Sequence, residues 1–289
     1  MAISAAMVKE LRERTGLGMM DCKRALTEAD GDMEKAIEEL RKKSALKAAK
    51  KAGRTTANGL LGIHVAADGT RGAIVEVNIE TDFAAKNEKF IAFVSKVTEK
   101  LFESADGDLA ALAAGDLNAE RETLVQEIGE NITIRRGEVV ASAAGGISEY
   151  MHGDQRRGAL VNLAEANAEL GRDIAMHVVA INPMVVRSED VAPDVLAKER
   201  EIFTSQAAES GKPEDIVVKM VEGRVKKFLA EVSLLDQPFV KDGDIKVGKL
   251  VANASTEVLS FVRYEVGEGI EVEETDFAAE VAAQVAGND

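Results

Sequence analysis

The residues able to do chemistry are few and scattered. The 289-residue chain has three histidines, His64, His152 and His177, and one cysteine, Cys22. No His-Glu-x-x-His, paired Cys-x-x-Cys, Gly-x-Ser-x-Gly or Walker-type glycine run gathers such residues around a metal, a nucleophile or a phosphate. No glycine run has Gly-x-Gly-x-x-Gly spacing after a strand, so no nucleotide pocket is expected in this chain. With 51 carboxylates, pairs at glycosidase-like spacing arise by chance and none can be chosen. Each histidine reads as a surface or packing residue. The sequence favours a binding protein over an enzyme, with no catalytic residue, metal site or cofactor of its own.

One segment stands out: Ile79-Glu80-Thr81-Asp82-Phe83-Ala84-Ala85-Lys86-Asn87, which joins an apolar strand to an amphipathic helix. Turn chemistry puts Thr81 or Asp82 at the helix cap, which accounts for both as structure. Phe83 has two readings. It lies seven residues before Phe90 and could extend the same core stripe, or it is a large apolar side chain offered to a partner pocket as an anchor.

The elements that must position this segment read as an α+β protein. Residues 1–53 form a three-helix N-terminal module. Val8 and Leu11 share a face of the first helix, Gly16-Leu17-Gly18 stops it, and Met20, Ala25 and Leu26 face inward from the second. Asp32 caps the third, with Ile37 and Leu40 inward, and a basic run from Arg41 to Arg54 follows as a solvated helical connector, or, in a sharper reading, as a weak contact to RNA or the ribosome. Residues 54–140 form a first core subdomain. Leu60 to Val65 and Ala73 to Ile79 are strands around an Asp68-Gly69 turn, followed by a helix from about Ala84 to Glu103, a second helix after Leu117, and a strand from Ile132. An offset of 86 residues superposes Gly72 on Gly158, Val75 on Val161, Val77 on Leu163 and Val94 on Ala180, so residues 141–187 and 234–268 read as a second copy with antiparallel sheets. Residues 188–233 interrupt it as an inserted antiparallel helical hairpin, turned at Gly211-Lys212-Pro213. Residues 269–289 form a C-terminal helical module, with Thr275 as cap.

Composition supports this reading. Aromatics are 4% and Trp is absent, so the cores rest on Ala, Val, Ile and Leu. A single cysteine excludes an intrachain disulfide and, with no apolar signal core after Met1 and no stretch of roughly 20 apolar residues, fits a cytoplasmic protein without a membrane span. The net charge of −15 argues against direct nucleic-acid binding. It is uneven: residues 1–53 carry 12 Lys/Arg and 9 Asp/Glu, the remainder 24 and 42. Such asymmetry marks the N-terminal segment as a separate module.

The run Thr81 to Asn87 resembles the Thr-Asp-Phe-Val-Ala-Lys signature of bacterial elongation factor Ts, with Ala84 where Val is usual. Leu11 to Leu26 (LRERTGLGMMDCKRAL) resembles that family's N-terminal signature, in a module similar to ubiquitin-associated domains. Ile174 to Val178, Ser210 to Pro213 with Met220 to Arg224, Val266 to Ile270, and Glu274 to Glu280 look like later blocks in the family's order. The resemblance implies a guanine-nucleotide exchange factor that binds elongation factor Tu and acts on the GDP, GTP and Mg²⁺ which that partner holds. Thr81, Asp82, Phe83 and Ala84 are then the segment that dislocates Mg²⁺, with Phe83 as an apolar wedge. Met19 and Met20 are candidates for docking the partner's nucleotide domain, against small-core packing. His152 is a candidate for the partner's third domain, against a plain loop residue. Asp276 and Phe277 add a contact or dock intramolecularly. The hairpin 188–233 either mediates self-association or is a lineage-variable appendage. Two rival readings are a ubiquitin-associated-type adaptor, which would not need the Thr81–Asn87 junction, and a small-molecule enzyme, which requires a polar pocket the sequence does not supply.

Overall fold

A computed structural model describes residues 3–209 and 213–271 of the chain. In order, the elements begin with α1 Ala5–Thr15, α2 Met19–Glu28, α3 Met33–Lys51, β1 Asn58–Val65 and β2 Arg71–Ile79. Next come α4 Asp82–Ala85, α5 Glu88–Glu103, α6 Leu109–Ala114, α7 Asp116–Ile128 and β3 Ile132–Ala141. The second half holds β4 Ile147–Met151, β5 Arg157–Leu163, α8 Ala168–Ile181, α9 Pro193–Ala208 and α10 Glu214–Val232, then β6 Pro238–Phe239, β7 Asp242–Lys246, α11 Val247–Asn253 and β8 Val258–Glu265. Helices and antiparallel sheets share the chain, an α+β fold.

The first three helices enclose Val8, Leu11, Leu17, Cys22, Ala25, Leu26 and Leu40. Gly16, at φ 71°, closes α1 in the left-handed conformation, and the Asp32 carboxylate accepts the Lys35 N–H to start α3. The basic run is helical as far as Lys51, as the last part of α3, and most of it is exposed, but it is not solvated on every side. Its Ser44 and Ala48 are buried against α7, where Ser44 donates to Gln126 at 2.7 Å. Small residues four apart let that face approach its neighbour while the lysines stay on the wet side.

Two three-stranded sheets, β1-β2-β3 and β4-β5-β8, lie face to face. α5 and α7 cover the outer face of the first, α8 and α11 that of the second. The duplication is visible in the packing between the sheets. At the offset of 86, Leu61 corresponds to Ile147, Ile74 to Leu160 and Gly72 to Gly158, and the four apolar residues meet in one cluster. A Cβ on Gly72 would stand 2.9 Å from Ile147, and one on Gly158 2.8 Å from Ile63, so both glycines permit the approach. The pairing irregularity between Glu76 and Val77 recurs between Asn162 and Leu163, again 86 apart.

The helices depart from that offset. Val94 is buried whereas Ala180 is exposed. Phe90, Phe93, Val94 and Val97 correspond instead to Gly171, Ile174, Ala175 and Val178, an offset of 81. The first copy therefore has 86 − 81 = 5 more residues between central strand and helix, and the surplus lies where α4 forms. The expected helix from Ala84 is in fact two. Asn87 ends the first turn and its side chain accepts the Lys89 N–H to start α5. The short α6, the β6–β7 hairpin and α11 carry too few residues to leave a periodic signal.

Glu76 joins the two halves. It is fully buried on the sheet–sheet face, accepting from Arg135 at 2.9 Å, Arg136 at 2.6 Å, Asn78 at 3.0 Å and the Gly267 N–H at 2.8 Å. Arg135 is the extra residue of the bulge, so it and Arg136 both turn toward the same carboxylate. Arg136 also lies 4.3 Å over the Tyr264 ring and donates to the Glu265 carbonyl. Burial pushes the Glu76 carboxyl up, but the Gly267, Arg135, Asn78 and Arg136 hydrogen bonds outweigh it and hold the pKa below the usual glutamate range.

The helical hairpin leaves and re-enters at one point. Val185 bridges Ser233, Met184 donates to the Val232 carbonyl and Leu234 to that of Val185. Ala207, Val221 and Val225 pack with Leu196, Phe203, Val217 and Leu229 in a cluster drawn from the hairpin alone. Residues 210–212, which include Gly211 and Lys212 of the expected turn, and the expected C-terminal helix beyond 271 lie outside the described residues.

Replacing residues 192–231 by a short Gly-Ser linker should leave a cooperatively melting protein, checked by circular dichroism; a molten product would show that the hairpin supports the core. Glu76→Gln, which strands two arginines, should cost about 3 kcal/mol in denaturant titrations at neutral pH. Because the folded pKa is depressed, this stabilisation is complete above the unfolded glutamate value and is lost as pH falls through the folded one. The gap between parent and variant should therefore narrow in acid.

Candidate functional site

β2 is almost wholly buried up to Ile79, and the chain then emerges through Glu80 and Thr81. The Glu80 carbonyl accepts from Asn58 at 2.9 Å and its carboxylate from the Asn131 N–H at 2.6 Å. Thr81 is the cap of α4: its hydroxyl accepts the Ala84 N–H at 3.2 Å. The Thr81 N–H and hydroxyl both donate to the Glu130 carboxylate, at 2.9 and 2.8 Å. Asp82 is the first helical residue and takes Lys86 at 3.0 Å, a hydrogen bond that lowers the Asp82 pKa. Ala85 is buried and anchors the turn.

Phe83 is 81% exposed, with the Lys86 ammonium 5.3 Å from its ring. The core-stripe reading does not hold, because the helix breaks between Phe83 and Phe90. A lone exposed apolar residue is ordinary on a protein surface. This one differs in that it rides on a capped, tethered turn inserted into one copy of a duplicated fold. The arrangement offers a rigid apolar knob flanked by a carboxylate and an ammonium.

Met19 and Met20 open α2 and are 60% and 75% exposed, so Met20 does not face inward. Helical rotation gives the inner face to Cys22, Ala25 and Leu26. The two methionines, with Ile3, Val8, Lys9 and Arg12, line an open groove. Lys89, near the start of α5, pairs with Glu127 and donates to the Gly16 carbonyl at 3.4 Å, which ties the turn before α2 to the helix after Phe83.

His152 starts the β4–β5 turn, half-buried, its Nδ1 3.0 Å from Asp154. Burial raises the Asp154 pKa, but the Arg156 N–H, His152 and Arg157 outweigh it and bring it down to about 2. Arg156 donates to Asn58 at 3.1 Å, and Asn58 in turn holds the Glu80 carbonyl. The structure thus links the Phe83 turn, the methionine helix and the His152 turn through Lys89 and Asn58. Sequence reasoning missed Asn58, Lys89 and Glu130, whose partners lie 22 to 98 residues away. Asp276 and Phe277, in a second Glu-Thr-Asp-Phe-Ala-Ala run, lie outside the described residues.

The remaining histidines pack. His64 rests on Phe102, 4.2 Å between ring centroids. His177 is fully buried, accepts the Val240 N–H at 3.1 Å and lies 2.9 Å from Gln237; burial lowers its pKa. Among the described residues no group of three or more His, Cys, Asp or Glu is arranged to hold a metal ion, and no helix is long and apolar enough to cross a membrane.

Residues 80–268 match the family model described as Elongation factor TS. A protein named Elongation factor Ts from Hahella chejuensis is 58% identical over 286 residues, covering 99% of each chain. Proteins of the same name from Saccharophagus degradans and Teredinibacter turnerae are 55% and 54% identical over 99% of this chain. The chain belongs to the elongation factor Ts family, and its role lies in translation elongation.

Proposed function

We propose that the chain is a guanine-nucleotide exchange factor for elongation factor Tu, with Phe83 as the wedge that opens the partner's nucleotide site. The observation that carries this reading is the exposed Phe83 on a turn fixed from both ends. A protein-held GDP depends on backbone amides, a lysine and Mg²⁺ acting together. An apolar side chain driven behind that site shifts several charge-assisted contacts at once, and each is worth more than a neutral hydrogen bond. Asp82 and Ala84 accompany Phe83 into the contact, and Thr81 holds their backbone. Met19 and Met20 dock the nucleotide domain, His152 reaches the third domain, and Asp276 and Phe277 add a contact from the C-terminal segment. The chain needs no cofactor of its own, because the nucleotide and metal belong to the partner. It works in the cytoplasm, where that partner is.

Linkage fixes the cycle. Whatever factor by which this protein weakens GDP binding, GDP weakens its binding by the same factor. GTP rebinding then releases it, and no covalent step is involved. Each tenfold loss of GDP affinity corresponds to about 1.4 kcal/mol, so a loss of several decades draws on all the contacts and not on Phe83 alone.

The direct test is release of a fluorescent GDP from elongation factor Tu with sub-stoichiometric amounts of the chain; an unchanged rate would falsify the proposal. Phe83→Ala should slow release at least tenfold while the melting temperature stays within about a degree, since an exposed side chain contributes little to the core. Thr81→Val, which removes the cap, should cost about 1 kcal/mol of stability, a loss that Asp82→Ala should not show because Asp82 is not the cap.

A further inference from the structure

We propose that Glu130 is a positioning residue for the exchange step: it holds the Thr81 cap, and through it Phe83, in one orientation. The inference rests on the exchange reading above. A four-residue helix has no stability of its own, because nucleation costs more than so few hydrogen bonds return. Its direction must come from what grips its ends. At the far end the grip is Ala85 in the core and Asn87 capping α5. The Asp82–Lys86 pair and the Lys86–Phe83 contact are exposed, screened by solvent, and too weak to set an angle. At the near end one carboxylate takes both hydrogen-bond donors of Thr81, its N–H at 2.9 Å and its hydroxyl at 2.8 Å. Two acceptor oxygens meeting two donors on one residue fix direction as well as distance.

The contact is reciprocated one residue along, where the Glu80 carboxylate takes the Asn131 N–H at 2.6 Å. The same short loop holds the exit of the N-terminal helices. Asn131 donates to the Arg54 carbonyl at 3.0 Å, and Lys51 donates to the Gly129 carbonyl. The loop from Gly129, in the left-handed conformation at φ 89°, through Asn131 therefore sets where Phe83 points relative to the helices that carry Met19 and Met20. A wedge aimed before contact loses no orientational entropy on binding, so the effect belongs to the step in which the nucleotide site opens.

The experiment measures GDP release from elongation factor Tu across a range of exchange-factor concentrations, giving a maximal rate and a half-saturating concentration. Glu130→Ala should lower the maximal rate about tenfold, the scale of lost hydrogen bonds to a charged group. The half-saturating concentration should change little, because the methionine and His152 contacts remain. Glu130→Gln should recover most of the rate, since its carboxamide can accept from the Thr81 N–H and donate to the hydroxyl. In a Phe83→Ala background, Glu130→Ala should have almost no further effect. A wild-type maximal rate for Glu130→Ala, an equal fall in the Phe83→Ala background, or a loss that follows melting temperature and is not recovered by Glu130→Gln would each overturn the assignment. If Phe83→Ala itself exchanges like the parent, the wedge reading fails, and this proposal fails with it.

Discussion

The fold depends on one buried carboxylate. Two sheets that meet through Leu61, Ile74, Ile147 and Leu160 gain apolar burial at many relative angles, since such contacts have no direction. Glu76 selects one. Its charge is tolerable in that interface only with every acceptor site engaged, and its donors come from β2, from both arginines at the β3 bulge and from the turn after β8. Sliding one sheet against the other would separate Gly267 from Glu76 and Tyr264 from Arg136 together. The bulge matters for the same reason: a regular strand would turn Arg135 to the opposite face and leave the carboxylate short of a partner.

The duplicated scaffold makes the site intelligible as a departure from symmetry. Both copies share a central strand, a pairing irregularity at the same place and a covering helix with the same buried spacing. At the position of Glu76 the second copy has Asn162, whose side-chain oxygen has no hydrogen-bond partner among the described residues. Between strand and helix the second copy crosses directly to Asn167, which caps α8. The first copy spends its five extra residues on a capped turn that displays Phe83. Two packed sheets give that turn a stiff base, which is what a knob needs if it is to displace a partner's groups and not itself.

Sequence by itself determined most of the elements. Apolar steps of three and four placed Phe90, Val94, Val97 and Leu101 on one face of a helix, and Leu60 to Val65 with Ala73 to Ile79 were legible as a hairpin around Asp68-Gly69. The Thr81–Asn87 run was legible as a junction, and its likeness to one family pointed to translation elongation. These are local signals, carried by residues within a turn or two of each other. Tertiary structure decided what each signal was for. Phe83 and Phe90 are spaced for one stripe, but Asn87 restarts the helix between them, so the first faces solvent and the second the core. Met20 could have packed inward until Cys22, Ala25 and Leu26 filled that face. The basic run of α3 became an interface because α7 lay beside Ser44 and Ala48. The pairing of Thr81 with Glu130 joins residues 49 apart. Neither has a spacing or type that announces the other, and only the packed chain brings a carboxylate to that cap.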